Sequence, residues 1–229
     1  MREEQERICN VNQRREKGVW IGIVMVYLLT ALYIVAHHLG QGNRLMALFG
    51  PVSLLFLLIP SLAQRLFRQR LGFVFQVFVL VFCYCAFSLG VGLRWYEASG
   101  VYDKVMHGIS GVLFFGVGFY VYAACCQGAP YRLTERWVLQ MTYAFFFSLA
   151  VAVLWEVYEF MGFVLIGHDA QHHLQTGVFD TMLDMIACLL GSAVYAACYA
   201  LYAKKGISSV FIRLLRAVTP AEKDRTTGR

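Results

Sequence analysis

Residues 137–166 read WVLQMTYAFFFSLAVAVLWEVYEFMGFVLI, a stretch long enough to cross a bilayer that nevertheless carries two glutamates, Glu156 and Glu159. About 20 apolar residues span a hydrocarbon core of roughly 30 Å at about 1.5 Å per residue, so the segment is read as a transmembrane helix. A charge placed in hydrocarbon costs several kcal/mol unless it is paired, protonated or facing water, which makes the two glutamates the first functional clue. Comparable apolar runs occupy residues 18–36, 45–63, 71–93, 105–126 and 178–203. The fold class expected is therefore all-α, a polytopic membrane bundle of six helices. The second run is the weakest, because Pro51 and Pro60 interrupt it and proline kinks or breaks a helix.

Composition agrees. Of 229 residues 59% are hydrophobic and only 15% charged, outside the range of a soluble domain. The formal net charge of +6 comes from an uneven distribution of cations. With six spans, 17 of the 20 lysines and arginines fall on the face that holds both termini, leaving Arg44, Arg94 and Lys104 on the other. The positive-inside rule then makes the protein N-in and C-in. A basic skirt of this kind fixes topology and attracts anionic lipid headgroups, so it implies no nucleic-acid partner.

The N-terminal run is read as the first span rather than a cleaved signal peptide, since it is longer than a usual signal core and no small-x-small site follows it. Residues 1–203 are expected to form the transmembrane domain. Residues 204–229 are expected to be a cytoplasmic segment: an amphipathic interfacial helix over 207–218, with Ile207, Val210, Phe211, Leu214, Leu215 and Val218 on one side, then a disordered tail. The seven cysteines, Cys9, Cys83, Cys85, Cys125, Cys126, Cys188 and Cys198, lack zinc-site spacing and lie outside the expected outer loops, so no disulfide framework is expected. Gly90, Gly92, Gly108, Gly111, Gly116 and Gly118 point to close helix packing. Trp20, Trp95 and Trp137 read as interfacial anchors.

The polar residues converge in depth. Asp103 and His107 begin the fourth span, Glu156 and Glu159 lie toward the end of the fifth, and Asp180 and Asp184 begin the sixth. Residues three or four apart share a helix face, so each pair can point inward together from its own helix. Five carboxylates in one layer repel one another, and a divalent metal ion would relieve that repulsion; facing helices build metal sites from such ligands. The candidate ligands are His107, Glu156, Glu159, Asp180 and Asp184. The candidate catalytic groups are Glu156, Glu159, Asp184 and His107, with Asp103 and Lys104 in support.

Plainer roles compete. Asp103 and Asp180 lie where a carboxylate stabilises a helix dipole; Glu156 and Glu159, near a C-terminal end, do not. Lys104 points about 100° from Asp103 on an ideal helix and is expected to meet lipid headgroups. His37, His38, His168, His172 and His173 are expected in outer loops, solvated.

The stretches Tyr102-Asp103-Lys104-x-x-His107-Gly108, Trp155-Glu156-x-x-Glu159-Phe160 and Asp180-x-x-x-Asp184, with Gly191 following, resemble the YjdF-like family of bacterial inner-membrane proteins and, more distantly, VanZ-like proteins, over roughly residues 70–200. The VanZ-like pattern places Asn at Asp184 and Gly at Ala187, so the first resemblance is preferred; it implies a membrane fold and no reaction. VanZ-like proteins are associated with glycopeptide resistance.

The reading that follows is a multi-pass protein of the bacterial inner membrane with a polar, metal-binding cleft on the extracytoplasmic side, hydrolysing or transferring a lipid-linked or cell-envelope substrate. A proton- or cation-coupled small-molecule transporter and a non-catalytic envelope-stress or assembly factor are the alternatives. No serine elbow, His-Glu-x-x-His or phosphate loop is present, so the sequence leaves open whether the protein is an enzyme. Membrane lipids are the expected partners; oligomeric state, metal identity and substrate are not encoded legibly.

Overall fold

A computed structural model of the protein describes residues 2–68, 70–126, 136–167, 169–171 and 173–216, with the side chains of 2–12, 173, 215 and 216 left out. The described residues contain helices and no strand. Among the described residues six helices are long and apolar enough to cross a membrane: α1 (Arg2–Gly40, apolar after Lys17), α2 (Arg44–Phe67), α3 (Phe73–Gly92), α4 (Gly100–Cys125), α5 (Trp137–Ile166) and α6 (Phe179–Lys205). Trp95–Ala98 and His173–Thr176 form single helical turns, and a short helix, labelled α7, covers Val210–Arg216. The tail expected to be disordered, His168 and His172 lie outside the described residues.

The two prolines of α2 interrupt its α-helical pattern without removing the span. Asn43 caps its start by accepting a hydrogen bond from the Met46 N–H at 3.1 Å. Ahead of Pro60 the backbone tightens to a 3-10 turn over Leu55–Leu58, since proline lacks an N–H and crowds the carbonyl four residues back. α3 ends in a π-helical stretch, Tyr84–Gly92, in which the Leu93 N–H reaches back five residues to the Ser88 carbonyl at 3.0 Å.

The chain groups into two compact units, residues 1–62 with 79–98 and residues 63–78 with 99–229. In the first, Tyr27 donates to the Leu80 carbonyl at 2.7 Å and Thr30 shares a 2.8 Å hydrogen bond with Tyr84. His37 and His38, expected in a loop, instead complete the last turn of α1. His38 is 2% exposed and its Nε2 donates to the Gly92 carbonyl at 2.8 Å. The helix runs a turn past residue 36 because that carbonyl, left over at the end of α3, needs a donor.

In the second unit α4 packs against both α5 and α6, which also meet each other. Glycines set the approach, as their positions suggested. A Cβ on Gly111 would collide with the Cys188 carbonyl, one on Gly191 with the Gly108 carbonyl, and one on Gly118 would lie 2.8 Å from the Ala144 Cα. Below these contacts Phe115, Phe119, Ala144, Tyr195, Tyr199 and Ile212 form a buried core. Phe115 stacks on Tyr195 and Phe119 meets Tyr199 edge-on, both at 4.7 Å.

Gly206, with φ 69°, ends α6 and turns the chain into α7. Here the buried face differs from the expected one: Ile212 and Leu214 are covered, Tyr195 donates to the Phe211 carbonyl at 2.9 Å, and Ile207 and Val210 stay exposed. The short helix is therefore clamped to the bundle by α6. Around the unit, Val101, Leu154 and Ile166 turn outward, as expected of side chains that face lipid tails.

Candidate functional site

Three helix ends meet at one end of the second unit. Ser99 starts α4 by accepting from the Tyr102 N–H at 3.4 Å, which sets Asp103 in the first turn and His107 one turn further on. Asp103 is thus spared the capping task. α6 begins without a side-chain cap at Val178, and Asp180 stands in its first turn with Asp184 one turn deeper. α5 delivers Glu156 and Glu159 from the opposite direction before Gly167, in the left-handed conformation, closes the helix.

Lys104 is the centre of this layer, and its expected contact with lipid headgroups is corrected. Its Nζ donates to Asp103 Oδ2 at 3.1 Å, Asp180 Oδ1 at 2.5 Å and Asp184 Oδ2 at 2.8 Å. The 100° offset between Asp103 and Lys104 does not prevent this, because the four-carbon stem carries the ammonium across the helix surface to both neighbours. One ammonium thus neutralises part of a layer of five carboxyls and leaves the excess negative.

His107 faces two of the same carboxylates. Its Nε2 lies 3.5 Å from Asp103 Oδ1 and 3.7 Å from Asp184 Oδ1, longer than a good hydrogen bond. Two ligands each about 2.1 Å from a shared ion in tetrahedral geometry sit about 3.4 Å apart. Asp103, His107 and Asp184 each offer an atom within 4.8 Å of the others, and so form a set that could hold a metal ion. Asp103, assigned from sequence to a supporting place, belongs to this set. Asp180 spends one oxygen on Lys104, and its Oδ2 has no hydrogen-bond partner among the described residues.

Glu156 and Glu159 lie outside that triad. Glu156 is 7% exposed and close enough to interact electrostatically with His107, Asp184 and Asp103. Its Oε2 accepts from Gln171 Nε2 at 2.9 Å, while Oε1 has no hydrogen-bond partner among the described residues. Glu159 accepts from Trp155 Nε1 at 2.9 Å, one turn back on the same helix. Gln171 escaped sequence reasoning. It folds back from the loop after α5, is 8% exposed, and also donates to the Glu156 carbonyl at 3.1 Å. A neutral amide in a polar loop carries no signal that separates it from solvated neighbours.

A second polar group missed from sequence lies beneath. Ser192 donates to Ser148 Oγ at 2.9 Å, and Ser148 donates to the Gly111 carbonyl at 3.0 Å. Further along, Tyr199 donates to Gln140 Oε1 at 2.5 Å. Polar side chains thus continue past the acidic layer into the helix interfaces. Scattered serines and tyrosines in apolar helices become visible as a group only once the helices are packed. The six cysteines whose side chains are described form no disulfide with one another.

An all-helical chain with six spans, three of which bring a lysine, a histidine and five carboxyls to one end, is a multi-pass membrane protein with a charged centre. The chain belongs to the family described as "Predicted membrane protein (DUF2238)", whose match covers residues 19–205 and so runs from the first span to the end of the sixth. No curated protein and no solved structure matches the chain.

Proposed function

We propose that this protein is an enzyme of the bacterial inner membrane that binds a divalent metal ion at Asp103, His107 and Asp184 and hydrolyses or transfers a lipid-linked cell-envelope substrate. The observation that carries the reading is the spacing of the triad: three ligand atoms within 4.8 Å, beside a buried glutamate with an uncommitted oxygen. An ion held there would supply Lewis acidity toward a phosphoryl or carbonyl oxygen. Glu156, in a site where burial and Gln171 fix its carboxylate, is the group to accept a proton from water. Lys104, whose ammonium donates to Asp103, Asp180 and Asp184, holds these carboxylates in place beside the ion.

The proposal puts both termini in the cytoplasm and the centre on the extracytoplasmic side, on the strength of the lysine and arginine distribution. Kinship with the YjdF-like family, and more distantly with VanZ-like proteins, belongs to the same proposal. It is supported by the Asp103-Lys104-x-x-His107 stretch, whose three polar members all enter the centre.

The test is metal analysis of the full-length protein purified in detergent, stripped with chelator and reloaded with zinc, manganese or calcium. One ion per chain is expected, lost in His107→Ala and Asp184→Asn. A folded wild-type protein that retains none of these ions defeats the reading. A cation-coupled transporter is the second reading, favoured by the buried pairs Ser148 with Ser192 and Gln140 with Tyr199 below the centre. Proton-coupled uptake into liposomes, abolished by Ser148→Ala, would establish it instead.

A further inference from the structure

The turn that follows α3 is strained, and it builds a pocket in the first unit. After the π-helical stretch Tyr84–Gly92, Arg94 takes a left-handed φ of 60°, a conformation that crowds the Cβ of any residue but glycine. The chain then folds back through Trp95–Ala98, so closely that a Cβ on Gly90 would collide with the Tyr96 ring. Arg94 and Trp95 thereby come beside the last turns of α1, where Tyr33, His37, His38, Leu93, Arg94 and Trp95 line a pocket of about 210 Å³. π-helical turns and strained residues cluster at functional sites. None of these six residues takes part in the proposed metal-dependent reading.

One buried atom in this lining is unspent. A carbonyl only accepts, so the 2.8 Å contact with Gly92 puts the proton of a neutral His38 ring on Nε2 and leaves Nδ1 a lone pair. His38 is 2% exposed, and Nδ1 has no hydrogen-bond partner among the described residues. A buried acceptor left unpaired is costly, so the site calls for a donor. The neighbouring groups are committed elsewhere. The Arg94 guanidinium gives two N–H groups to the Glu97 carboxylate, which cancels the charge an anion would seek, and a cation finds no carboxylate free of that pair. An amide nitrogen only donates, so His37 Nε2 accepts from Gln41 at 3.3 Å, and its lone pair is not available to share a metal ion with His38.

We infer that the pocket binds a neutral molecule of a single ring bearing a hydroxyl, a phenol or hydroquinone head, whose O–H donates to His38 Nδ1. The ring lies against Trp95 and against Tyr33 and His37, which are themselves stacked with centroids 5.7 Å apart. Size and polarity select this class. An apolar cavity of about 150 Å³ holds benzene, so about 210 Å³ admits one substituted ring and falls short of the roughly 300–1,000 Å³ of drug-sized sites. A sugar would bring several hydroxyls to a single unspent acceptor, and a plain hydrocarbon ring would leave that acceptor unpaired. The inference stands apart from the metal-dependent reading.

The experiment titrates full-length protein in phosphatidylcholine nanodiscs, with nitrogen-labelled histidine, against para-cresol, para-methylanisole and benzoate, with empty nanodiscs as the reference. Calorimetry should give one para-cresol site per chain, and the magnetic resonance signal of one unprotonated ring nitrogen should move upfield as the site fills. para-Methylanisole, which lacks only the O–H donor, should bind about tenfold more weakly and leave that signal in place. Benzoate should not compete. His38→Gln, whose amide N–H can keep the bond to the Gly92 carbonyl, should remove the moving signal and the preference for para-cresol. Tyr33→Ala and Trp95→Ala, at exposed rings, should each weaken para-cresol about fivefold, and they report on the pocket even where His38→Gln does not fold. A dodecyl chain at the para position separates the sources: tighter binding assigns the ring to a membrane-dissolved lipid, and lost binding assigns it to a free phenol.

Equal affinity for para-methylanisole means that the ring partitions into an apolar slot without His38, and the inference falls. Competition by benzoate overturns it too, by assigning the pocket to an anion at Arg94, as does displacement of para-cresol by zinc, which assigns it to a metal ion. An absence of saturable para-cresol binding leaves His38 Nδ1 to a bound water and ends the proposal.

Discussion

The ammonium of Lys104 sits 2.8 Å from each carboxylate oxygen of Asp184, and this contact ties α4 to α6 within the membrane-spanning region. The Asp184 side chain is 3% exposed and that of Lys104 24%. Removing one member of such a pair strands the other charge away from water, a cost of about 3–5 kcal/mol for buried pairs. Lys104→Met should therefore lower stability by about 3 kcal/mol, read as the thermal midpoint in detergent. Adding Asp184→Asn should recover part of that loss, since the stranded charge is then gone. A Lys104→Met protein as stable as the wild type would show that the ammonium contributes nothing to the fold.

The two glycines that face each other across α4 and α6 should respond differently to alanine. A Cβ on Gly191 collides with the Gly108 carbonyl, whereas one on Gly108 finds its nearest atom, the Ala187 carbonyl oxygen, at an ordinary 3.7 Å. Gly191→Ala should cost about 1–3 kcal/mol through overpacking, and Gly108→Ala close to nothing. Equal thermal midpoints for the two variants would contradict the helix register described here.

Gln171 pins the loop after α5 to Glu156 through two hydrogen bonds. Gln171→Leu leaves the Glu156 carboxylate without its amide donor, at a cost of about 1–3 kcal/mol for a buried acceptor. Limited proteolysis should then cut residues 167–171 faster than in the wild type. Unchanged cleavage would reduce Gln171 to a loop residue of no consequence.

Asp180 bonds Lys104 and stands outside the proposed ligand triad, so on the metal-dependent reading Asp180→Asn should retain an ion with affinity reduced about 10- to 100-fold, the usual effect of a residue that orients a ligand's neighbours. His107→Ala should lose it altogether. Isothermal titration with manganese distinguishes the two. Complete loss in Asp180→Asn would promote that residue to a direct ligand.

The buried hydroxyl pairs test whether the polar residues below the centre conduct or merely hold. As interhelical hydrogen bonds, Ser148→Ala and Tyr199→Phe should each cost about 0.6 kcal/mol, up to about 1.7, without touching metal binding. Loss of a transport signal at intact stability would instead mark them as part of a path.

Much of this protein was legible from residue types and spacing. The stretch 137–166 announced a membrane span at sight, because bilayer thickness converts directly into a count of apolar residues. The pairs Asp103 with His107, Glu156 with Glu159 and Asp180 with Asp184 could be set on shared faces because a helix repeats every 3.6 residues. Helix period and bilayer thickness are local or one-dimensional quantities, and the sequence by itself determined what depends on them: six spans, the glycine-lined approaches and the layer of carboxyls.

Only packing decided who meets whom. Lys104 was turned away from the aspartates by its position on an ideal helix, yet its flexible stem crosses to α6, a distance fixed by Gly111 and Gly191. His38 was assigned to solvent until the last carbonyl of α3 supplied a reason for burial. Gln171 entered the centre through a loop closed by Gly167, and Asp103 joined His107 and Asp184 because Ser99 had taken over the helix cap. Partner choice depends on distances between segments far apart in the chain, which no local periodicity encodes; it is settled when the helices come into contact.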